Sequence, residues 1–318
     1  MRICVFVFFC VLELCLPLAA SAFEEKIDIP SRALTEEQFL RGEVSAATEI
    51  TLRSTLSGPD AGEKRPVVIL MHGGEGPSSG AVWSWSRYLN SIGVAALSLD
   101  SFTARNLTNI SAEQASLPQF VQIYDAYRAA EILAAHERID PSLIVIMGFS
   151  RGGTAALYAA LTRFHDAFGP TAGRIAAYLP FYPLCNFKLK GEESVTPAAI
   201  RQFHGTADDW TPLGLCEDYI GRLTKAGYDA TITAFPGALH AFDNPRNPAL
   251  YADANWQTSR NCMRIEKDGK LLNAATGEPF SYTDACVEYG PSVQYNDKAT
   301  TAAQQAVKGI IEGLVAKK

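Results

Sequence analysis

Long apolar runs are nearly absent from this 318-residue chain, and the one that exists stands at its start. Arg2, the apolar stretch Ile3 to Leu12 and the small residues Ala20-Ser21-Ala22 follow the order of a cleavable export signal. Glu13 interrupts that stretch, which argues against a membrane-spanning helix. Cys15 would have to be the acylated residue of a lipoprotein, but Leu12-Glu13-Leu14 lacks the small residues such a site needs. With no other span, residues 1–22 are expected to be a signal peptide and the mature protein to be soluble and exported, periplasmic or secreted. Basic runs are absent too: 28 Lys and Arg against 34 Asp and Glu leave a net charge of −6, which excludes a nucleic-acid partner. Cysteine is sparse. Cys4, Cys10 and Cys15 leave with the signal, and Cys185, Cys216, Cys262 and Cys286 remain. No C-x-x-C spacing and no histidine near any of the four make zinc a weak reading. In an oxidising compartment they pair as disulfides in one of three ways, and closeness in sequence favours Cys185–Cys216 and Cys262–Cys286.

What is present is an alternation of short apolar, β-branched runs with helical segments. Pro66–Met71, Val94–Leu99, Leu143–Met147, Ile175–Phe181, Ala199–His204 and Ala230–Phe235 read as buried strands. Helices are expected near Val82–Ile92, Pro118–Ala135, Gly153–Leu161, Leu213–Lys225 and Thr300–Val315. In the second of these, Phe120, Ile123, Tyr127, Ala130 and Ala134 share a face. Such alternation predicts a mostly parallel twisted sheet flanked by helices. Residues 23–45 read as an irregular lead-in with a short helix near Thr35–Leu40, and Glu49–Ser54 as an edge strand. Residues 243–298 break the rhythm. They are polar and aromatic, Asp268-Gly269 marks a hairpin, and Cys262 and Cys286 bracket most of the stretch. We read residues 23–318 as one α/β domain with an insertion at 243–298 stapled by a disulfide before the last helix.

The chemistry centres on Gly148-Phe149-Ser150-Arg151-Gly152. A strand precedes it and a helix follows, so Ser150 is expected on a sharp turn with strained angles and an exposed Oγ. The following helix N-terminus would face the reaction centre, where negative charge is favoured. A serine nucleophile needs a base, and the base needs a carboxylate to hold it. Five histidines are available. His136 and His165 sit at helix ends away from the sheet's carboxyl edge. His72 and His204 each close a strand before a glycine, where a ring orders a loop. His240 follows a strand and the turn Pro236-Gly237, which places it at the edge where catalytic loops of open α/β sheets gather. Between serine and base, Asp208-Asp209 follows another strand. The choice falls on Asp208, three residues past Gly205 and four before Pro212, with Asp209 expected to cap the next turn or helix. The Arg151 and Gly74 backbone N–H groups are the expected oxyanion donors. The His72-Gly73-Gly74-Glu75-Gly76 turn lacks the lysine and hydroxyl residue of a phosphate loop.

These motifs together resemble the dienelactone hydrolase family of the α/β-hydrolases, in its exported bacterial branch. The resemblance rests on Met71-His72-Gly73-Gly74, Leu99-Asp100-Ser101-Phe102, Met147 to Gly153, His204 to Pro212 and Pro236 to Asp243, and spans about residues 60 to 245. It implies an α/β-hydrolase fold with Ser150 as nucleophile, Asp208 as acid and His240 as base. The enzyme that names the family uses a cysteine nucleophile; serine here points away from dienelactone as substrate. The expected activity is hydrolysis of small carboxylic esters through an acyl-enzyme, with no metal or organic cofactor. A peptidase or acyltransferase on the same triad, or a binding protein of the same fold, are the rival readings. The Arg151 side chain is expected to pair with a nearby acid. Trp210 is the candidate substrate contact, with Tyr251 and Trp256 as further aromatics at the mouth.

Overall fold

The computed structural model describes residues 22–60 and 62–318. The expected signal peptide therefore lies outside the described residues except for Ala22, which opens the first strand. Strands β1 (Ala22–Ala33), β2 (Thr48–Pro59), β3 (Arg65–Met71), β4 (Ala95–Leu99), β5 (Ile139–Phe149) and β6 (Ile175–Phe181) precede the short β7 (Phe187–Lys188). β8 (Ala199–Gly205) and β9 (Ala230–Phe235) follow. All but β7 form one sheet in the order β1-β2-β4-β3-β5-β6-β8-β9. From β4 to β9 every pairing is parallel; β1–β2 and β2–β4 are antiparallel.

The helices are α1 (Glu36–Arg41), α2 (Gly80–Ser91), α3 (Val121–Ala134), α4 (Arg151–Tyr158), α5 (Thr162–Phe168), α6 (Gly214–Lys225) and α7 (Asp297–Ala316). Alternate residues of the central strands feed two cores. Ile69, Met71, Ile144 and Ile146 face the layer of α1, α3, α4, α5 and α6, while Val68, Leu70, Val145 and Met147 face α2 and α7. This is why those strands read as unbroken apolar runs.

Two expectations fail at the amino-terminal end. Residues 22–33 are a twelve-residue strand and form the true edge, so β2 is an interior neighbour of β4. The alternation was concealed because inward positions include Glu25 and Ser31. Ser31 Oγ donates to Asp125 Oδ1 at 2.5 Å, and Asp125 also pairs with Arg105 at 2.9 Å. Pro30 is tolerated because it faces outward on an edge. α3 is buried beyond its expected stripe, since Gln122 and Asp125 are buried as well.

The 243–298 stretch forms small β layers: β10 (Tyr251–Ala252) with β15 (Ser292–Val293), β11 (Gln257–Thr258) with β14 (Glu288–Tyr289), and a hairpin of β12 (Arg264–Lys267) and β13 (Lys270–Asn273). Asp268 and Gly269 turn the hairpin with φ of +50° and +75°, the left-handed pair that a tight two-residue turn needs. β12 pairs with β7, so the hairpin is attached to the segment between β6 and β8. Arg264 rivets that seam: its guanidinium lies 3.9 Å from the Phe187 ring centre and 4.7 Å from that of Phe280. Disulfides join Cys185 to Cys216 and Cys262 to Cys286. Among the described residues no helix is long and apolar enough to cross a membrane.

The second disulfide spans 24 residues of chain that have little core of their own. Replacing Cys262 and Cys286 together by serine should lower unfolding free energy by about 3 kcal/mol. In limited proteolysis mapped by mass spectrometry, the first new cuts should fall between these positions. First cuts within the large sheet would contradict this account.

Candidate active site

β5 runs into α4 through Ser150, whose φ of +54° and ψ of −114° lie outside the usual space of an L-residue. Crowding imposes this conformation. A Cβ on Gly148 would stand 2.1 Å from the Gly152 carbonyl oxygen, and one on Gly152 would stand 2.3 Å from that of Met71. Only glycine at these positions lets β3, β5 and α4 meet so closely. Phe181 O accepts the Ser150 N–H at 3.0 Å and anchors the turn to β6. Arg151 opens α4, so its N–H has no partner within the helix.

His240 arrives from the loop after β9. Its Nε2 lies 2.9 Å from Ser150 Oγ and its Nδ1 lies 2.8 Å from Asp208 Oδ2. The tautomer with a proton on Nδ1 satisfies both bonds, donating to the carboxylate and accepting from the serine hydroxyl. Asp208 is buried, and its Oδ1 accepts the N–H groups of Trp210 at 2.9 Å and Thr211 at 2.8 Å. Burial works against its ionisation, but the opposite charge of His240 and donors from His204 and His240 outweigh it. The net result holds the Asp208 carboxyl well below its usual range. Asp208 caps its own turn, whereas Asp209 Oδ1 accepts the Ser292 N–H at 2.9 Å in the insertion. The expected helix cap at Asp209 is thus a staple instead.

His72 and His204 are buried loop organisers, as their positions imply. His72 Nδ1 donates to Gly73 O at 2.9 Å and His204 Nε2 to Thr211 O at 2.6 Å. Gly74 lies in the same cleft as Ser150 and His240. The Arg151 side chain departs from expectation. It makes no ion pair among the described residues, and donates to Gln119 Oε1 at 3.2 Å, to Gln114 O at 3.0 Å and to Leu117 O. Loop carbonyls out-compete an acid here because the 114–119 turn presents several of them at once. Trp210 borders both clefts that reach Ser150; its indole sits 5.0 Å from the His240 ring and stacks on Trp256 at 4.9 Å. Tyr251 meets Trp256 edge-on at 5.2 Å.

Several residues that sequence reasoning gave no role support this group. Asp243 accepts Tyr182 Oη–H at 2.6 Å and Trp85 Nε1–H at 2.7 Å, behind the Tyr182 ring that meets His240 edge-on at 4.7 Å. Thr211 Oγ1 lies 3.0 Å from Asp208 Oδ2. Of five non-glycine residues with positive φ among those described, Ser150, Tyr182 and Ala241 all flank the site. Thr211 and Asp243 stood within the motifs His204 to Pro212 and Pro236 to Asp243, without a role of their own.

A largely parallel sheet of this strand order, with a serine on the tight turn between strand and helix, defines an α/β-hydrolase. The sequence model of the dienelactone hydrolase family matches residues 52–266, and the chain belongs to that family. Among solved structures it is similar to a dienelactone hydrolase-like promiscuous phosphotriesterase from metagenomic libraries, at 17% identity and a TM-score of 0.60 over 92% of this chain and 98% of the other. It is also similar to a Klebsiella pneumoniae protein described as a dienelactone hydrolase, at 15% identity and a TM-score of 0.60 over 92% and 99%. At these identities the likeness is one of fold.

Burial pushes the Asp243 carboxyl up from 3.8 to about 6, with Tyr182 and Trp85 opposing. A folded-state value above the unfolded one stabilises the fold fully below about pH 4, and the contribution is lost as pH rises through 6. Asp243→Asn cannot ionise. Urea melts at pH 4.5 and 7.5 should therefore show its stability shifting in its favour, relative to wild type, by about 2 kcal/mol across that interval. A difference that stays constant with pH would refute the assignment.

Proposed function

We propose that this protein is an exported serine hydrolase that cleaves small carboxylic esters through an acyl-enzyme. The observation that carries the reading is the continuous relay Ser150–His240–Asp208, with contacts of 2.9 and 2.8 Å. His240 takes the Ser150 proton as Oγ attacks the ester carbonyl, then gives it to the leaving alcohol. It next activates water against the acyl-enzyme. Asp208 holds the ring and stabilises its cation. The N–H groups of Arg151 and Gly74 receive the developing oxyanion. Two disulfides and the leader-like start of the sequence support export, and the attachment of the hairpin to β7 supports one domain with an insertion at 243–298. No observation favours the peptidase, acyltransferase or binding-protein readings.

The clefts that reach Ser150 are small, about 30 and 40 Å³, while the cavity of about 600 Å³ lies along the Arg151–Arg264 seam and does not include the serine. Clefts of this size match a short acyl group better than a long one. p-Nitrophenyl acetate should be cleaved with kcat/KM at least about tenfold above the octanoate, and Ser150→Ala should lower kcat by about 10⁴ or more. Well-folded wild type that hydrolyses neither ester would defeat the proposal.

Asp208 stays ionised through the working range because its carboxyl is held far down. The acid limb of log kcat/KM against pH should therefore fall with a slope of one, reporting a single ionisation. A slope of two would mean that the acid titrates with the base.

A further inference from the structure

The loop that carries Gly73 and Gly74 continues into a residue that the reaction does not use. Glu75 borders the same cleft as Ser150 and His240. Its Oε2 accepts Asn244 Nδ2–H at 3.0 Å. Asn244 is itself fixed: its Oδ1 accepts the Arg246 N–H at 3.0 Å, and it packs over Gly80, where a Cβ would stand 2.0 Å from that oxygen. The carboxylate is thus built into the wall of the cleft at the start of α2. Among the described residues no basic side chain forms an ion pair with it. His240 and Arg246 face it and act through space, and Arg246 directs its guanidinium to Ser78 O at 2.6 Å. Burial raises the Glu75 carboxyl above its ordinary range, and the nearby charges of His240 and Arg246 only partly oppose it.

A poorly solvated anion without a cation partner is unfavourable in the free protein, and a cationic group on the substrate offsets that cost. An anionic group in the same cleft meets repulsion that little water screens. We propose that Glu75 selects substrates by charge, favouring esters that carry an ammonium-type cation within a few atoms of the scissile bond and turning away esters that carry a carboxylate there. This assignment rests on the ester-hydrolase reading.

Three acetate esters of nearly one shape test it: acetylcholine, its neutral isostere 3,3-dimethylbutyl acetate, and 4-acetoxy-2,2-dimethylbutanoate. Wild-type kcat/KM should fall about tenfold from cation to neutral ester and about tenfold again to the anion. Glu75→Gln should bring the three within about threefold of one another, and Glu75→Asp should keep their order. Equal values in wild type, or an order that survives in Glu75→Gln, would overturn the proposal. Choline and 3,3-dimethylbutanol provide a readout free of turnover, by saturation-transfer NMR: choline should bind wild type more tightly than the neutral alcohol, and Glu75→Gln should lose that preference. If no ester is cleaved but the preference is seen, the ester reading falls and charge selection stands. If both alcohols bind alike, charge selection falls even where every ester is cleaved.

Discussion

Everything in this site depends on how closely backbone can approach backbone around Ser150. Gly148 lies against the Gly152 carbonyl, Gly152 against that of Met71 and Gly153 against that of Phe181; a Cβ at any of them would stand 2.1 to 2.3 Å from an oxygen. β3, β5, β6 and the first turn of α4 are thereby drawn together, and the serine between them is left with a positive φ. The same crowding that strains the turn lifts Oγ clear of the sheet and brings the opening N–H of α4 beside it. Strain here is held by the packing of four elements, which is how a residue can keep an otherwise unfavourable conformation.

Three carboxylates surround His240, and each is treated differently. Asp208 is buried but receives backbone and side-chain donors together with the imidazole, so its charge is strongly favoured. Asp243 is equally buried, and its neutral donors Tyr182 and Trp85 do not overcome desolvation. Glu75 borders the cleft with an amide for its partner. Environment rather than residue type separates a permanent anion, a carboxyl that titrates near neutrality and a carboxyl at the cleft wall whose hydrogen-bond partner is an amide. The histidine is held by the first, supported from behind by the second through Tyr182, and faced across the cleft by the third.

The central strands, the elbow and the order Ser150, Asp208, His240 were legible because each carries a local signal: unbroken β-branched runs, paired glycines, and turn residues after a strand. β1 was not legible, since its inward face includes Glu25 and Ser31, whose partners lie far away in sequence at His136 and Asp125. The Arg151 partners were missed for a related reason. Carbonyls of a loop leave no trace in residue identity, so an acid was the natural expectation. Tyr182 and Thr211 act through where the backbone places them, with Tyr182 at φ +37° immediately after β6. Thr211, Asp243 and Glu75 stood in recognisable motifs, and nothing in those motifs distinguishes a structural carboxylate from one that lines the cleft.

The neighbouring aspartates tie the 243–298 segment to the candidate site. Asp208 turns inward to His240, while Asp209 turns outward to the Ser292 N–H. Trp210 Nε1 then donates to Gln257 O at 3.0 Å, and Thr258 Oγ1 donates back to Trp210 O at 2.7 Å. β15, the last strand of the 243–298 segment, reaches His240 itself, through a bridge to Val293. The loop carrying Asp208 is therefore gripped on both sides, by His240 from the loop after β9 and by β11 and β15. Position in the loop decides the two roles: Asp208 accepts the N–H groups of Trp210 and Thr211 and the His240 ring, while Asp209 meets the Ser292 N–H. The 243–298 segment supplies the Ser292 N–H that holds Asp209, and in doing so helps keep Asp208 in register with His240.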